Sequence, residues 1–375
     1  MQRLLTTAVF GVLALALGAF PVLAEEGDSA GHTSPLEKWI EKMEEAAGLQ
    51  EEKSLLSDHL QVSGLVEVEA FHEKLDFDDP EEEDEKSSGV DLATVEMALD
   101  AAIQSHVSGH VLIKYQEDDL FVDEGFITLT GSETFPVYLK AGRLYIPFGY
   151  FDTYFITDPN TLILGEIREG AVVAGYTLAD DRMDFSLGGF NGKAGKKGQE
   201  DTMDGFVAGF TARLLENVTF GVSYTSSLAS ADAFSEAVTD RDEDGEIDPV
   251  ENLVGGWSAF VTLYFAERFT VMGEYLAALE KFKAGEVFSS EDAVERKPSA
   301  WNIELGVAVT ESLELAVRCG GSDDGGNLLP ESQVGAVLNW GLFDETLFAI
   351  EYLHGHFESD THKTDSLTAQ LAMEF

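Results

Sequence analysis

Residues 240–251, Asp-Arg-Asp-Glu-Asp-Gly-Glu-Ile-Asp-Pro-Val-Glu, have the spacing of a metal loop. Side-chain oxygens at the first, third and fifth positions, glycine at the sixth and glutamate at the twelfth describe a twelve-residue calcium site. Asp240, Asp242 and Asp244 would give side-chain oxygens, Glu246 its backbone carbonyl, Asp248 a direct or water-bridged contact, and Glu251 a bidentate carboxylate. Gly245 suits the sharp turn and Ile247 ties the loop to its surroundings. The competing reading is an acidic, solvated loop. Helical context is thin: Ser230–Thr239 could form a turn or two, but Gly255-Gly256 and an extended pattern follow. A sensor needs helices that move, so the expectation is a structural Ca2+ that stiffens a loop.

Catalytic chemistry finds no foothold. The chain has eight histidines, and His354 and His356 alternate along a strand-like segment instead of sharing a helical turn. There is no Gly-x-Ser-x-Gly, no phosphate loop and no Cys/His metal spacing. A non-enzyme is expected. The sole cysteine, Cys319, excludes an intrachain disulfide, and a formal net charge of −47 argues against binding nucleic acid.

The elements that carry these residues begin after a leader. Met1-Gln2-Arg3, an apolar run from Leu4 to Phe20, Pro21 and the small residue Ala24 read as a signal peptide over 1–24. Within 25–57, Pro35 opens an amphipathic helix with Leu36, Trp39, Ile40, Met43, Ala46 and Ala47 on one face, either a short coiled coil or a helix lying on its own domain. From 58 to 375 the texture is period two. Trp301, Ile303, Leu305, Val307 and Val309 alternate with Asn302, Glu304, Gly306 and Ala308; Leu313, Leu315, Val317 and Cys319 alternate with Glu314, Ala316 and Arg318. About sixteen such segments can be placed, the first at 58–74 and the last at 364–375, with 217–228 and 268–281 among them.

Their connections alternate in length. Tight turns at 179–181, 216–217, 266–268 and 310–312 separate excursions at 147–165, 192–202, 229–252, 282–298 and 321–330. That sorting, with no apolar helix long enough to span, predicts an all-β fold: a transmembrane antiparallel β-barrel preceded by a short periplasmic helix. The final segment puts Leu367, Ala369, Leu371, Met373 and Phe375 on one face, resembling the signal read by the barrel-assembly machinery. A barrel of this size encloses an aqueous lumen or a plug.

On this register the lumen collects Glu67, Glu69, Glu96, Asp100, Glu274, Glu304, Glu314 and Glu351, with Lys114, Lys140, Arg143, Arg168 and Arg318. Such a net acidic passage favours cations. The segment 142–166, GRLYIPFGYFDTYFITDPNTLILGE, is the most unusual. Phe148, Tyr150, Phe151, Tyr154 and Phe155, with Asp152 and Asp158, make a loop too apolar to hang in water. It either enters the lumen as a constriction or caps the outer edge. This segment resembles the signature of the LbtU-family siderophore porins, outer-membrane barrels with a signal peptide and a short helical N-terminal region. The resemblance implies uptake of ferric siderophore. The residues alone leave two other readings: a general porin selective for cations or small solutes, and a structural surface barrel with calcium-stiffened loops. The expected surroundings are outer-membrane lipid, a small solute or ferric siderophore, and a homotrimer of the size common among such barrels.

Overall fold

A strand with one apolar and one polar face cannot end in an unpaired edge inside lipid, where an orphaned backbone group costs several kcal/mol. The computed structural model resolves the problem by closure: sixteen strands, each antiparallel to its neighbour in sequence, with the last paired to the first. Residues 59–77, 84–116, 118–178, 182–198, 202–239, 247–288, 294–357 and 362–375 are described. The signal peptide, the amphipathic helix, and Asp240, Asp242, Asp244 and Glu246 lie outside them.

The strands are β1 (Leu60–Phe77), β2 (Glu85–Gln104), β3 (Val107–Gln116), β4 (Asp119–Ser132), β5 (Phe135–Tyr145), β6 (Arg168–Leu178), β7 (Met183–Phe190) and β8 (Gly205–Leu215). They continue as β9 (Val218–Thr225), β10 (Gly256–Phe265), β11 (Phe269–Ala278), β12 (Ser299–Thr310), β13 (Leu313–Asp323), β14 (Ser332–Phe343), β15 (Thr346–Phe357) and β16 (His362–Glu374). The seam runs from Leu65 opposite Glu374 to Phe77 opposite His362. Gly64 and Phe375 exchange both backbone hydrogen bonds, at 2.8 and 3.0 Å. Two strands end sooner than the alternation suggests, β9 at Thr225 and β11 at Ala278, because their connections turn inward there.

The outer face is apolar. Ile303 and Val317 are each 51 % exposed, and Leu305, Val334, Trp340, Leu371 and Met373 are exposed beside them. A continuous apolar belt of this kind needs lipid around it.

The buried core lies inside the barrel, toward its long-loop end. Wall side chains alone cannot fill a sixteen-strand interior, so connections do. Phe148, Phe151, Leu162 and Leu164 come from the β5–β6 connection, Leu228, Phe234 and Val254 from β9–β10, and Phe282 and Phe288 from β11–β12. They pack against Phe190, Val207, Leu276 and Ala300 on the wall.

Placing a charge on the outer face tests its lipid contact. Val317→Lys is expected to cost about 2–4 kcal/mol if its site lies near mid-bilayer. Urea unfolding of liposome-inserted protein reads it; a wild-type midpoint would place this face elsewhere.

Candidate constriction site

A loop inside a closed barrel has no sheet edge to bond to, yet its N–H groups still need acceptors. The segment between Tyr145 and Arg168 finds them on the far wall. Glu274 of β11 accepts from the N–H groups of Tyr150 and Phe151, at 2.8 and 3.0 Å, and from the hydroxyls of Thr161 and Ser258, at 3.0 and 2.7 Å. Glu304 of β12 accepts from the Thr153 hydroxyl and the Tyr154 N–H, at 2.7 and 2.8 Å. Arg318 of β13 and Asn302 each donate to the same carboxylate at 2.9 Å. Glu351 of β15 takes the Thr157 N–H at 3.0 Å and its hydroxyl at 2.6 Å. Gly149 donates to Ser223 of β9 at 2.9 Å, and Asn339 of β14 donates to the Tyr154 carbonyl at 2.9 Å. The loop therefore enters the lumen, crosses from β9 to β15, and returns through a short helix, α1 (Asn160–Gly165).

Two left-handed residues let it lie flat. Gly149 has φ 81° and Phe151 φ 58°, and a Cβ on Gly149 would strike the Phe151 ring. The aromatics mostly turn toward the wall. Tyr150 stacks on Phe260 at 4.1 Å, and Phe155 packs on Ala316, Val337 and Leu353, with the Arg318 guanidinium 4.2 Å from its ring centre. Phe148 and Phe151 join the core, while Tyr154 is partly buried beside the Phe155 cluster. The Tyr150 hydroxyl donates to Asp152 at 3.1 Å. Burial, then the Asp152 charge, pushes the phenol up to about 12, and burial raises Asp152 too. Of the residues expected to form a constriction, Phe148, Phe151 and Phe155 thus glue the loop to the wall, while Asp158 borders open space.

The lumen residues divide the same way. Glu67 sits beside Thr94, Gln370 donates to Glu69 at 2.9 Å, Lys114 pairs with Glu96 at 3.2 Å, His110 meets Asp100 at 2.7 Å, and Glu314 faces Asn339. Glu274, Glu304, Arg318 and Glu351 are buried against the loop, Glu304 at 0 % exposure. The loop covers them. Arg143 is a correction. Strict alternation puts it with Leu139 and Ala141 on the outer face, opposite Gly125 and Gly170, two residues from the end of β5. A long arginine stem can reach the polar rim from there.

A cavity of ≈ 220 Å³ lies between the loop and β3–β6. Lys114, Gln116, Phe121, Tyr145, Arg168 and Lys193 border it, together with Asp158, Leu162, Ile163, Glu166, Asp232, Ala233 and Glu236. Asp232 opens a helical turn, α2 (Asp232–Ser235), that reaches in from the β9–β10 connection. Arg168 pairs with Asp123 and lies 3.7 Å from Asp232, which takes Lys193 at 2.7 Å. A register shift at Leu112/Ile113 makes Asp123 an extra residue, so both it and Glu124 turn inward. Asp123, Glu166, Lys193, Asp232 and Glu236 escape a sequence reading because each sits at a bulge or in a connection, where period two gives no direction. Burial, then the charges of Asp158 and Asp232, holds Glu166 well above the usual carboxylate range.

Of the expected calcium ligands, Asp248 and Glu251 are described. The Glu251 N–H donates to Glu286 at 2.8 Å and its carboxylate pairs with Lys283. Val250 is stitched to the β7–β8 connection through Gly195 and Lys197, at 3.0 and 2.8 Å.

Among solved structures, the outer-membrane channel DcaP of Acinetobacter baumannii superimposes with a TM-score of 0.58 and 12 % identity, covering 84 % of this chain and 97 % of that one. The anion-selective porin of Comamonas acidovorans gives 0.59 at 8 %, covering 84 % and 99 %. The fold is that of an outer-membrane porin. With its apolar belt, this barrel belongs in the Gram-negative outer membrane. No family model matches the chain. A UPF0422 protein of Coxiella burnetii is 27 % identical over 275 residues, 68 % of this chain and 57 % of that protein. A UPF0422 protein of Legionella pneumophila is 23 % identical over 303 residues, 74 % and 56 %. The chain spans little more than half the length of these relatives. The siderophore-porin resemblance is not confirmed by these matches.

Two variants probe the site. Glu304→Ala takes away the carboxylate bonded to the Arg318 guanidinium in a dry pocket, leaving it the Thr153 hydroxyl and the Asp158 carbonyl, and is expected to cost roughly 3–5 kcal/mol; thermal unfolding reads it. Glu166 holds its proton more tightly folded than unfolded, so its ionisation weakens the fold as pH rises above the ordinary glutamate range. Glu166→Gln is therefore expected to melt higher than wild type at pH 7, with the gap closing near pH 4. An equal gap at both pH values would contradict this.

Proposed function

We propose that this protein is a passive channel for small hydrophilic solutes, with the lumen-crossing loop as its constriction. The observation that carries the reading is the anchoring of that loop by Glu274, Glu304 and Glu351 from three separate strands. Rigid loops that narrow a lumen without closing it suit diffusion of small solutes. No chemistry need occur there. The likeness to the channels named above supports the fold on which this rests.

Cations are the favoured solutes. The chain's net charge is −47, and the cavity's lysines and arginine already face carboxylates. A ferric siderophore is the more specific cargo suggested by the 142–166 segment. A cavity of ≈ 220 Å³ is below the roughly 300–1,000 Å³ of sites that enclose drug-sized ligands, so that cargo would require the loop to move aside. Small solutes are the better match.

Purified full-length protein in planar bilayers is expected to give discrete current steps, with reversal potentials in a KCl gradient that favour potassium. Glu351→Ala frees Thr157 and is expected to give noisier, larger steps. Absence of steps in the wild-type protein would overturn the channel reading. Unimpaired growth of a deletion strain on ferric siderophore as sole iron source would remove the specific cargo and leave the general one.

A further inference from the structure

The cavity beside the loop has an uneven account of charge. Lys114 has Glu96 at 3.2 Å, Arg168 has Asp123, and Lys193 has Asp232 at 2.7 Å. Glu166 has no such partner: among the described residues no side chain bonds its carboxylate. Its backbone is fixed, donating to the Leu162 carbonyl at 2.8 Å and accepting from the Asp232 N–H at 2.7 Å. The side chain is thereby held where it borders the cavity, half-buried between the barrel wall and the loops. Asp158 and Glu236 border the same space, so carboxylates outnumber cations around it.

The walls decide what kind of cation would fit. Leu162 and Ile163 of α1 lie within one turn of Glu166, and Phe121 and Ala233 complete an apolar lining. A hard metal ion asks for oxygen on all sides. Among the described residues no group of three Asp, Glu, His or Cys is set to supply it. An ammonium head on a short hydrocarbon tail matches a lone carboxylate beside an aliphatic wall. The ≈ 220 Å³ available equals the space of about seven waters, room for an alkyl chain of a few carbons.

We propose that the cavity is a binding site for small primary alkylammonium ions, with the ammonium on Glu166 and the tail on Leu162 and Ile163. This rests on the channel reading and names the solute class that the constriction retains. An incoming ammonium brings the countercharge that lets Glu166 ionise in place, so binding passes the carboxyl proton to solvent and leaves a carboxylate–ammonium pair. It also replaces water on an apolar surface, so affinity rises with tail length until the cavity is full.

The test uses full-length protein, folded in detergent for calorimetry and inserted in planar bilayers for current. Methylammonium, n-butylammonium and, as a neutral control, n-butanol are titrated into each, and MgCl2 is tested separately as a competitor. Expected are heat and partial current block by n-butylammonium, several-fold tighter than methylammonium, with no effect of butanol. Glu166→Gln should weaken n-butylammonium at least tenfold. Ile163→Asn should erase the advantage of the longer tail while leaving methylammonium binding intact. Folding of each variant is checked by heat-modified gel mobility, and the Ile163 variant keeps the site testable if the Glu166 variant misfolds. Unchanged amine binding in Glu166→Gln, or displacement by Mg2+ at equal concentration, overturns the proposal. Current steps without amine binding sink this inference alone. Loss of steps with amine binding retained sinks only the channel reading.

Discussion

The arrangement of the lumen depends on one constraint: an N–H group carried into the middle of a barrel must be given an acceptor there. Water could do it, but water does not set a conformation. Here carboxylates do, and each takes more than one donor. Glu274 collects two backbone and two hydroxyl donors; Glu304 collects a backbone N–H, a hydroxyl, an amide and a guanidinium. Charge-assisted bonds of this kind are short and directional. The loop is therefore fixed to the wall by side-chain acceptors where a strand would use its neighbour's backbone.

Packing and polarity work on opposite sides of that loop. Its aromatic face closes onto Phe260, Leu276 and the Ala316–Val337–Leu353 group, excluding water from the carboxylate anchors. Exclusion of water strengthens each bond, and the bonds keep the aromatics seated. Its other face, from Asp158 to Glu166, borders the cavity with mixed aliphatic and acidic groups. A single segment thus carries both the seal and the lining.

What could be read from the sequence follows the same division. Strand positions were legible because lipid and lumen impose opposite demands on alternate residues; the β12 span Ser299–Thr310 matches the alternation at both ends. Glu304 and Glu351 were legible as inward-facing but not as anchors, since a carboxylate that meets water and one that meets a loop occupy identical positions in the pattern. Asp123 was hidden by the bulge that turns it inward, and Asp232 by its place in the longest connection. Arg143 was misplaced because its charge was weighed above its parity; two residues earlier, Ala141 already marks the outer face. The loop's entry into the lumen rests on partners far along the chain, which no local pattern contains.

That distance has a consequence for assembly. Thr157 is bound by Glu351, 194 residues later in the chain. Asn339, which holds Tyr154, comes 185 residues after it. Until β11, β12 and β15 stand in the wall, Tyr150, Tyr154 and Thr157 have no acceptors for their N–H groups. The loop's place in the lumen therefore presupposes the far side of the cylinder, and loosening those strands would release the narrowing along with them.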